Sequence, residues 1–368
     1  MLVALAVVPV LIWLYLLFCR GGFWRICIEH PEPRPVTTCL VAVIPARNEA
    51  AVIGRALRSL SGSVSQIVVV DDASADGTAD IARSAGDNVT VLEGKPLPPG
   101  WTGKLWALAQ GIEHALSLDP DYLLLTDADI EHDAGSMTDL TLIAEQRGLD
   151  LASYMVKLAC VTRAEKALIP AFVFFFLKLY PPKWIASEKF RTSGAAGGCI
   201  LIRPEALARI GGIAAIRNEV IDDCALARAV KCNAGKVWLG LTCQTRSIRA
   251  YGGFGEIGRM ISRTAFSQLR HSTLLLVAAI AGLFVTYLLP PLLLLSGKRL
   301  PMILGAVAWL LMSGVYLPMV RFYNRSPLWS LALPLIALFY MGATLHSAVQ
   351  YWRRRGGEWK GRTQDIRA

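Results

Sequence analysis

The sequence has no C-x-x-C pair among its eight cysteines, and its five histidines form no cluster. Protein zinc sites draw on such spacings, so the chain argues against one, and the cysteines read as reduced, mostly buried thiols of a cytoplasmic domain. Charge is also scarce: Asp, Glu, Lys and Arg make up 18% of the chain, against 54% apolar residues, which is oily for a soluble enzyme. Aromatic–basic interleaving and nucleic-acid modules are missing despite a net charge of +10. The positive residues gather beside apolar runs, where contact with anionic lipid accounts for them, so no nucleic-acid partner is expected. No internal repeat or low-complexity tract stands out.

The apolar excess concentrates at residues 1–18, 273–296, 300–320 and 327–349. Each stretch is long enough to cross a hydrocarbon core of about 30 Å. Between them, from about residue 20 to 271, the balance is that of a water-exposed body. The first stretch lacks a basic flank before it and a small-x-small cleavage site after it; Arg20 and Arg25 follow it instead. It reads as an uncleaved anchor with the body on the cytoplasmic side of a cell inner membrane, in a multi-pass chain. Three full spans after the body would leave Arg353, Arg354, Arg355 and Lys360 outside, against the charge rule. A 273–296 segment that is re-entrant or lies at the interface, as its Pro290-Pro291 suggests, would return that tail to the cytoplasm. The expected division is an anchor at 1–19, a linker at 20–38, a catalytic domain at 39–270, membrane segments at 271–350 and a basic tail at 351–368.

The linker carries His30-Pro31-Glu32-Pro33-Arg34-Pro35, a stiff extended run. Strands are expected at 39–44, 66–70, 89–92 and 121–126, because each is a short apolar run bounded by turn residues. Helices are expected between them, from Asn48 as a cap to Leu60, at 79–85 and from Lys104 to Leu116. Such alternation predicts an α/β fold with a mostly parallel, doubly wound sheet. Residues 168–185 contain Phe172-Val173-Phe174-Phe175-Phe176-Leu177 between Pro170 and Pro181-Pro182. That run is expected to be too short for a span and to lie at the membrane interface, with a buried core helix as the alternative.

Two acidic clusters follow strand-like runs. Val68-Val69-Val70 leads into Asp71-Asp72, and Leu123-Leu124-Leu125-Thr126 leads into Asp127-Ala128-Asp129. Ligands of parallel sheets bind at the carboxyl ends of the strands, where carboxylates suit cations and hydrogen donors. Asp-x-Asp spacing lets two carboxylates face one hard divalent ion, which can in turn hold a diphosphate. His132 could reach the same ion, although a surface-turn histidine is the simpler reading. Lys104 follows a Gly-rich stretch, but Pro98 and Leu105 break the phosphate-loop pattern. It is either near a substrate or a surface lysine at a helix start. In Asp222-Asp223 the acids also suit the first turn of a helix at 223–231, with Asp222 the better pure cap.

Val43-Ile44-Pro45-Ala46-Arg47-Asn48-Glu49, Val70-Asp71-Asp72-Ala73-Ser74-Ala75-Asp76-Gly77-Thr78 and Thr126-Asp127-Ala128-Asp129 resemble the family 2 inverting glycosyltransferases of GT-A fold. The likeness continues through Gly103-Lys104, Gly197-Gly198, Gly211-Gly212 and Ile221-Asp222-Asp223-Cys224-Ala225-Leu226, covering roughly 40–265. Pro98-Pro99-Gly100-Trp101-Thr102-Gly103-Lys104 and the flanking apolar segments look like the hopene-associated glycosyltransferases, and more distantly like ceramide glucosyltransferases. The resemblance implies a nucleotide-sugar donor, a UDP-sugar, walled by Pro45, Ala46, Arg47 and Glu49, with Asp72 on the base. It implies Mn²⁺ or Mg²⁺ on Asp129 with Asp127 at the ribose or the metal shell, and Lys104 and Arg263 toward the diphosphate. It makes Asp223 the general base for a lipid hydroxyl, plausible acceptors being hopanoids. Met260-Ile261-Ser262-Arg263-Thr264 keeps only the arginine of the Gln/Arg-x-x-Arg-Trp run found in polymerising relatives, which argues against a processive enzyme. Two rivals remain: a polyprenyl-phosphate glycosyltransferase, whose acceptor needs no base, and a non-catalytic membrane scaffold that binds a nucleotide.

Overall fold

The computed structural model describes residues 2–353 and the backbone of a short antiparallel pair, Glu358–Trp359 with Arg362–Thr363. Arg354, Arg355 and Lys360 of the expected basic tail lie outside the described residues. The chain divides into two compact units.

One unit holds residues 27–159 and 184–249, with the terminal residues from 357. Its sheet is built from β1 (Leu40–Ala46), β2 (Gln66–Asp71), β3 (Val89–Glu93), β4 (Tyr122–Thr126), β5 (Ile130–His132), β6 (Leu151–Lys157), β7 (Cys199–Ile202) and β8 (Val237–Ser247). The spatial order is β3-β2-β1-β4-β7-β6-β8-β5. β1, β2, β3 and β4 pair in parallel, as does β6 with β8, whereas β7 runs antiparallel to both β4 and β6 and β5 antiparallel to β8. The strand order reverses between β1 and β4, which opens a crevice at their carboxyl ends. β1 and β4 are buried along their whole length, and burial on both faces is why their sequences are continuous apolar runs.

Helix Gly103–Leu116 lies against β1 and β2. Gly111 makes that approach possible, since a Cβ there would stand 2.5 Å from Val43 Cγ1 and 2.9 Å from Val70 Cγ2. Thr102 caps the helix by accepting from Leu105 N at 3.3 Å. The core beneath the sheet joins Ile44, Ile53, Leu57, Ile67, Leu124, Leu140 and Trp238.

The expected helix from Asn48 begins later, at Ile53, and no side chain caps it. Asn48 instead adopts φ 51°, a left-handed conformation that Asn tolerates better than most residues. Its Oδ1 accepts from Ala75 N at 3.0 Å, so it fastens two loops together rather than starting a helix. The cysteines also differ from expectation. Cys199 and Cys224 are buried, while Cys19, Cys27, Cys232 and Cys243 are exposed.

The other unit gathers, of the described residues, 2–26, 160–183 and 250–353, and it is helical. Helices Leu2–Phe18 and Arg299–Phe322 pack together, as do Phe254–Gln268 and Leu333–Trp352. Trp13 Nε1 donates to Thr286 O at 2.9 Å, and its ring meets Tyr287 edge-on at 5.5 Å. Thr273–Leu293, Arg299–Phe322 and Pro327–Trp352 are long and apolar enough to cross a membrane; Leu2–Phe18 is shorter, at 17 residues. The apolar run expected to be too short for a span is longer than its prolines suggested. Pro170 sits inside a helix, Arg163–Leu179, and with the following turn the 23-residue stretch Arg163–Ile185 has spanning length. A proline removes one helical hydrogen bond and crowds the preceding turn, but here a capping box of Thr162 and Glu165 secures the helix start. Glu165 is fully buried, and its second oxygen accepts from Tyr251 N at 2.6 Å.

Candidate active site

The loops after β1 and β2 meet over the crevice and are stitched by side chain to backbone. Asn48 N donates to Ser74 Oγ at 2.9 Å, Glu49 N to Thr78 Oγ1 at 2.8 Å and Ala50 N to Asp76 Oδ2 at 3.0 Å. Ala73 joins Asn48 in a left-handed conformation, at φ 53°, and such strain persists where the surroundings over-determine it. Asp72 leaves β2 with its carboxylate buried and 3.5 Å from the Arg47 guanidinium, which also donates to the Asp72 carbonyl oxygen. Arg47 and Asp72 thus meet just past the ends of β1 and β2, and Ala46, the last residue of β1, is buried; none of the three lines the adjoining cleft.

Beside these loops lies a cleft with about 320 Å³ of empty volume, open solvent included. Pro45, Lys104, Asp127, Gly197, Asp222 and Asp223 line it. Lys104 bridges two of its carboxylates. The ammonium is 2.9 Å from Asp127 Oδ1 and 3.1 Å from Asp222 Oδ2. Burial alone would lower the Lys104 pKa, but the charges of Asp127 and Asp222 outweigh it and the pKa is raised. Lysine at this position is therefore a permanent cation of the cleft and not a surface residue at a helix start.

Asp222 is not a cap either: no side chain caps helix Asp222–Cys232 at its start. The lysine draws its carboxylate into the cleft instead. Asp223 is held by the backbone, with Oδ2 accepting from Gly197 N at 2.9 Å and Oδ1 from Cys224 N at 2.7 Å. Burial and the neighbouring Asp222 charge push the Asp223 carboxyl up to about 6, against the opposing pull of Lys104 and the two N–H donors. Burial likewise raises Asp127, with Lys104 opposing. A Cβ at Gly197 would stand in ordinary van der Waals contact with Lys104 Nζ at 3.4 Å and Asp223 Oδ2 at 3.5 Å.

Asp129 belongs to a second cluster. Arg249, two residues past β8, donates from Nε to Asp129 Oδ2 at 2.8 Å and pairs through its other arm with Glu49. Sequence reasoning missed Arg249 and the ion pair of Asp222. The available signal was a lone basic residue just past a long strand, at the end of the sheet where the acids gather. His132, expected in a surface turn, is buried on β5 with Nε2 3.1 Å from Thr126 Oγ1. Burial pushes its pKa down to about 4, so it is a neutral core residue. Arg263 lies on helix Phe254–Gln268 of the other unit.

Among the described residues, no group of three His, Cys, Asp or Glu side chains could hold a metal ion. Mg²⁺ and similar ions at phosphate sites need only one or two carboxylates, with substrate oxygens and water completing the shell. Asp127 and Asp129 fit that demand; a metal caged by protein side chains alone does not fit.

The helix Asp222–Cys232 is fixed at its far end too. Lys231 Nζ donates to four carbonyl oxygens, those of Trp184, Ile185, Ser187 and Thr192, at 2.6–3.1 Å. Its pKa is lowered by burial.

Residues 41–211 match the family profile described as glycosyl transferase family 2. A 4,4'-diaponeurosporenoate glycosyltransferase of Staphylococcus haemolyticus (strain JCSC1435) is 32% identical over 119 residues, which is 32% of this chain and 30% of that protein. The protein of the same name from Staphylococcus aureus (strain USA300) is 37% identical over 97 residues, 25% of this chain and 24% of its own length. The chain thus spans less than a third of the length of these curated relatives. Among solved structures, a mannosyltransferase from Pyrobaculum calidifontis in complex with GDP-Man and Mn²⁺ superposes with a TM-score of 0.55 at 18% identity, covering 96% of this chain and 100% of that one. At that identity the likeness concerns the fold. The matched residues 41–211 carry Pro45, Lys104, Asp127 and Gly197 of the cleft and are similar to a glycosyl transferase family 2 domain, on a GT-A fold.

Proposed function

We propose that this chain is a membrane-bound inverting glycosyltransferase that moves a sugar from a nucleotide donor, a UDP-sugar, to the hydroxyl of a membrane lipid such as a hopanoid. The observation that carries the reading is the placing of Asp223. Its carboxylate is aimed into the cleft by Gly197 N and Cys224 N, while Lys104 and Asp127 stand beside it. An inverting transfer needs a base on the acceptor side and cations on the leaving-group side. With its carboxyl pushed up to about 6, Asp223 is ionised at neutral pH yet more basic than an ordinary aspartate.

On the donor side, Pro45, Ala46, Arg47 and Glu49 form the wall, and Asp72 receives the base. Asp127 and Asp129 would hold Mn²⁺ or Mg²⁺. Bound there, the ion supplies Lewis acidity to the departing diphosphate. Lys104 provides a fixed positive charge to the same phosphates without reorganising. The body faces the cytoplasm, and the acceptor comes from the bilayer.

A second reading is favoured by the relatives, whose name specifies a carboxylate acceptor. A carboxylate attacks without losing a proton, so it makes no use of a base. One experiment separates the two. Detergent-purified protein is incubated with Mn²⁺, labelled UDP-sugars and GDP-Man, and bacterial lipid extract, and label entering the organic phase is scored. Transfer from one donor, lost by orders of magnitude in Asp223→Asn, supports the hydroxyl reading. Transfer that survives in Asp223→Asn supports a carboxylate or phosphate acceptor. Nucleotide binding with no transfer from any donor returns the scaffold.

A further inference from the structure

The proposed metal carboxylate Asp129 already has a cation on it. Arg249 donates to Asp129 Oδ2 at 2.8 Å and to Glu49 with its other arm, joining the loop after β1, the Asp-x-Asp turn and the segment just past β8. Both carboxylates are largely buried, with side chains 18% and 11% exposed, and the guanidinium is 33% exposed. A forked arginine shared by two half-buried carboxylates is a strong, charge-assisted arrangement.

We propose that Arg249 is the built-in counter-ion of Asp129 and gates metal entry, so that the divalent ion and the donor's diphosphate bind in concert and not in sequence. The proposal rests on the glycosyltransferase reading for the identity of its diphosphate ligand. Charge makes the case. Four carboxylates (Glu49, Asp127, Asp129 and Asp222) pair with only two cations (Lys104 and Arg249). A divalent ion arriving alone would have to displace Arg249 from Asp129 and would leave the guanidinium with Glu49 as its one remaining carboxylate of the pair. A nucleotide diphosphate arriving alone would meet the surplus carboxylates. Arriving together, the two are close to neutral, and the diphosphate gives the displaced guanidinium a new partner. Coupling of this kind is reciprocal: whatever factor the nucleotide adds to metal affinity, the metal adds to nucleotide affinity. Arg249 is thus a positioning residue that acts through Asp129.

The test measures Mn²⁺ binding to the full-length protein in detergent by the loss of free-ion signal in electron paramagnetic resonance, with UDP as the nucleotide probe. Wild type, Arg249→Gln, Arg249→Lys and Arg246→Gln are compared. Arg246 lies on β8, three residues before Arg249, but pairs with Glu131 and Asp133, so its variant controls for a general loss of positive charge. Arg249→Gln is expected to bind Mn²⁺ at least ten-fold more tightly than wild type without UDP, and less than three-fold more tightly with it. Arg249→Lys, which keeps the charge but loses the fork, should fall between, and Arg246→Gln should match wild type. Equal Mn²⁺ affinity of wild type and Arg249→Gln without UDP would overturn the gate, as would an equal gain in Arg246→Gln. Should Arg249→Gln fail to fold, Arg249→Lys still decides: an affinity without UDP no higher than that of wild type overturns the gate. Sugar transfer is scored separately, so a protein that shows the coupling but transfers no sugar keeps the gate and loses the transferase reading.

Discussion

Replacing Asp223 with Asn should make the protein more stable above neutral pH while abolishing transfer. Asp223 is ionised in the cleft at a cost, set by burial and by the adjacent Asp222. A carboxyl raised to about 6 in the fold, from about 4 in the unfolded chain, corresponds to about 2–3 kcal/mol of stability forgone at high pH. The side chain keeps some contact with solvent, which screens that figure to about 1–2 kcal/mol. Asn keeps one acceptor oxygen for the two donors Gly197 N and Cys224 N, and the hydrogen bond it forfeits returns about 1 kcal/mol. The sign follows from linkage: because the folded pKa is the higher one, the fold holds its proton longer and wild-type stability declines as pH rises between about 4 and 6. Thermal unfolding followed by tryptophan fluorescence at pH 4.5, 6 and 8 should give a melting difference, variant minus wild type, that grows by a few degrees with pH. In the transfer assay the same variant should lose a factor of about 10²–10⁴, the usual contribution of a general base. A melting difference that is flat or falls with pH would refute the account of Asp223, whatever the activity does.

Other outcomes follow from the same geometry. The pH profile of wild-type transfer should rise through about pH 6 on the Asp223 ionisation; a rate already maximal at pH 4.5 would remove Asp223 as the base. Gly197→Ala, whose methyl would stand in ordinary contact with Lys104 Nζ and Asp223 Oδ2 at 3.4–3.5 Å, should leave the melting temperature and kcat nearly unchanged; a ten-fold loss of kcat would mean that the methyl occupies substrate space. Lys231→Met leaves four carbonyls without their shared donor. It should cost about 2 kcal/mol and expose residues 184–192 to limited proteolysis, whereas an unchanged digestion pattern would mean that the lysine is dispensable.

The half of the site that was legible in the sequence is the half made of local signals. A buried parallel strand announces itself as a continuous apolar run, so β1, β2 and β4 and the acids at their ends could be placed from Val68–Asp72 and Leu123–Asp129. Arg249 could not, because its partners Asp129 and Glu49 are 120 and 200 residues away. Asp222 looked like a helix cap, and only the fold brings Lys104 to it. His132 sits between Glu131 and Asp133, a polar setting that reads as a turn. Three residues of strand pairing with β8 were enough to bury it. The antiparallel β7 escaped for a related reason: four apolar residues carry no direction.

The segment from Trp184 to Gly197 grips the helix Asp222–Cys232 at both ends, through Lys231 at one and through Gly197 N and the Ala195 carbonyl at the other. Insertions or deletions in that segment would therefore be transmitted to the Asp223 carboxylate. Grafting a different loop here to redirect the enzyme to a new acceptor would alter reaction rate in the same stroke. A designer would need to exchange loop and helix as one cassette, with Lys231 and Asp223 both inside its boundaries.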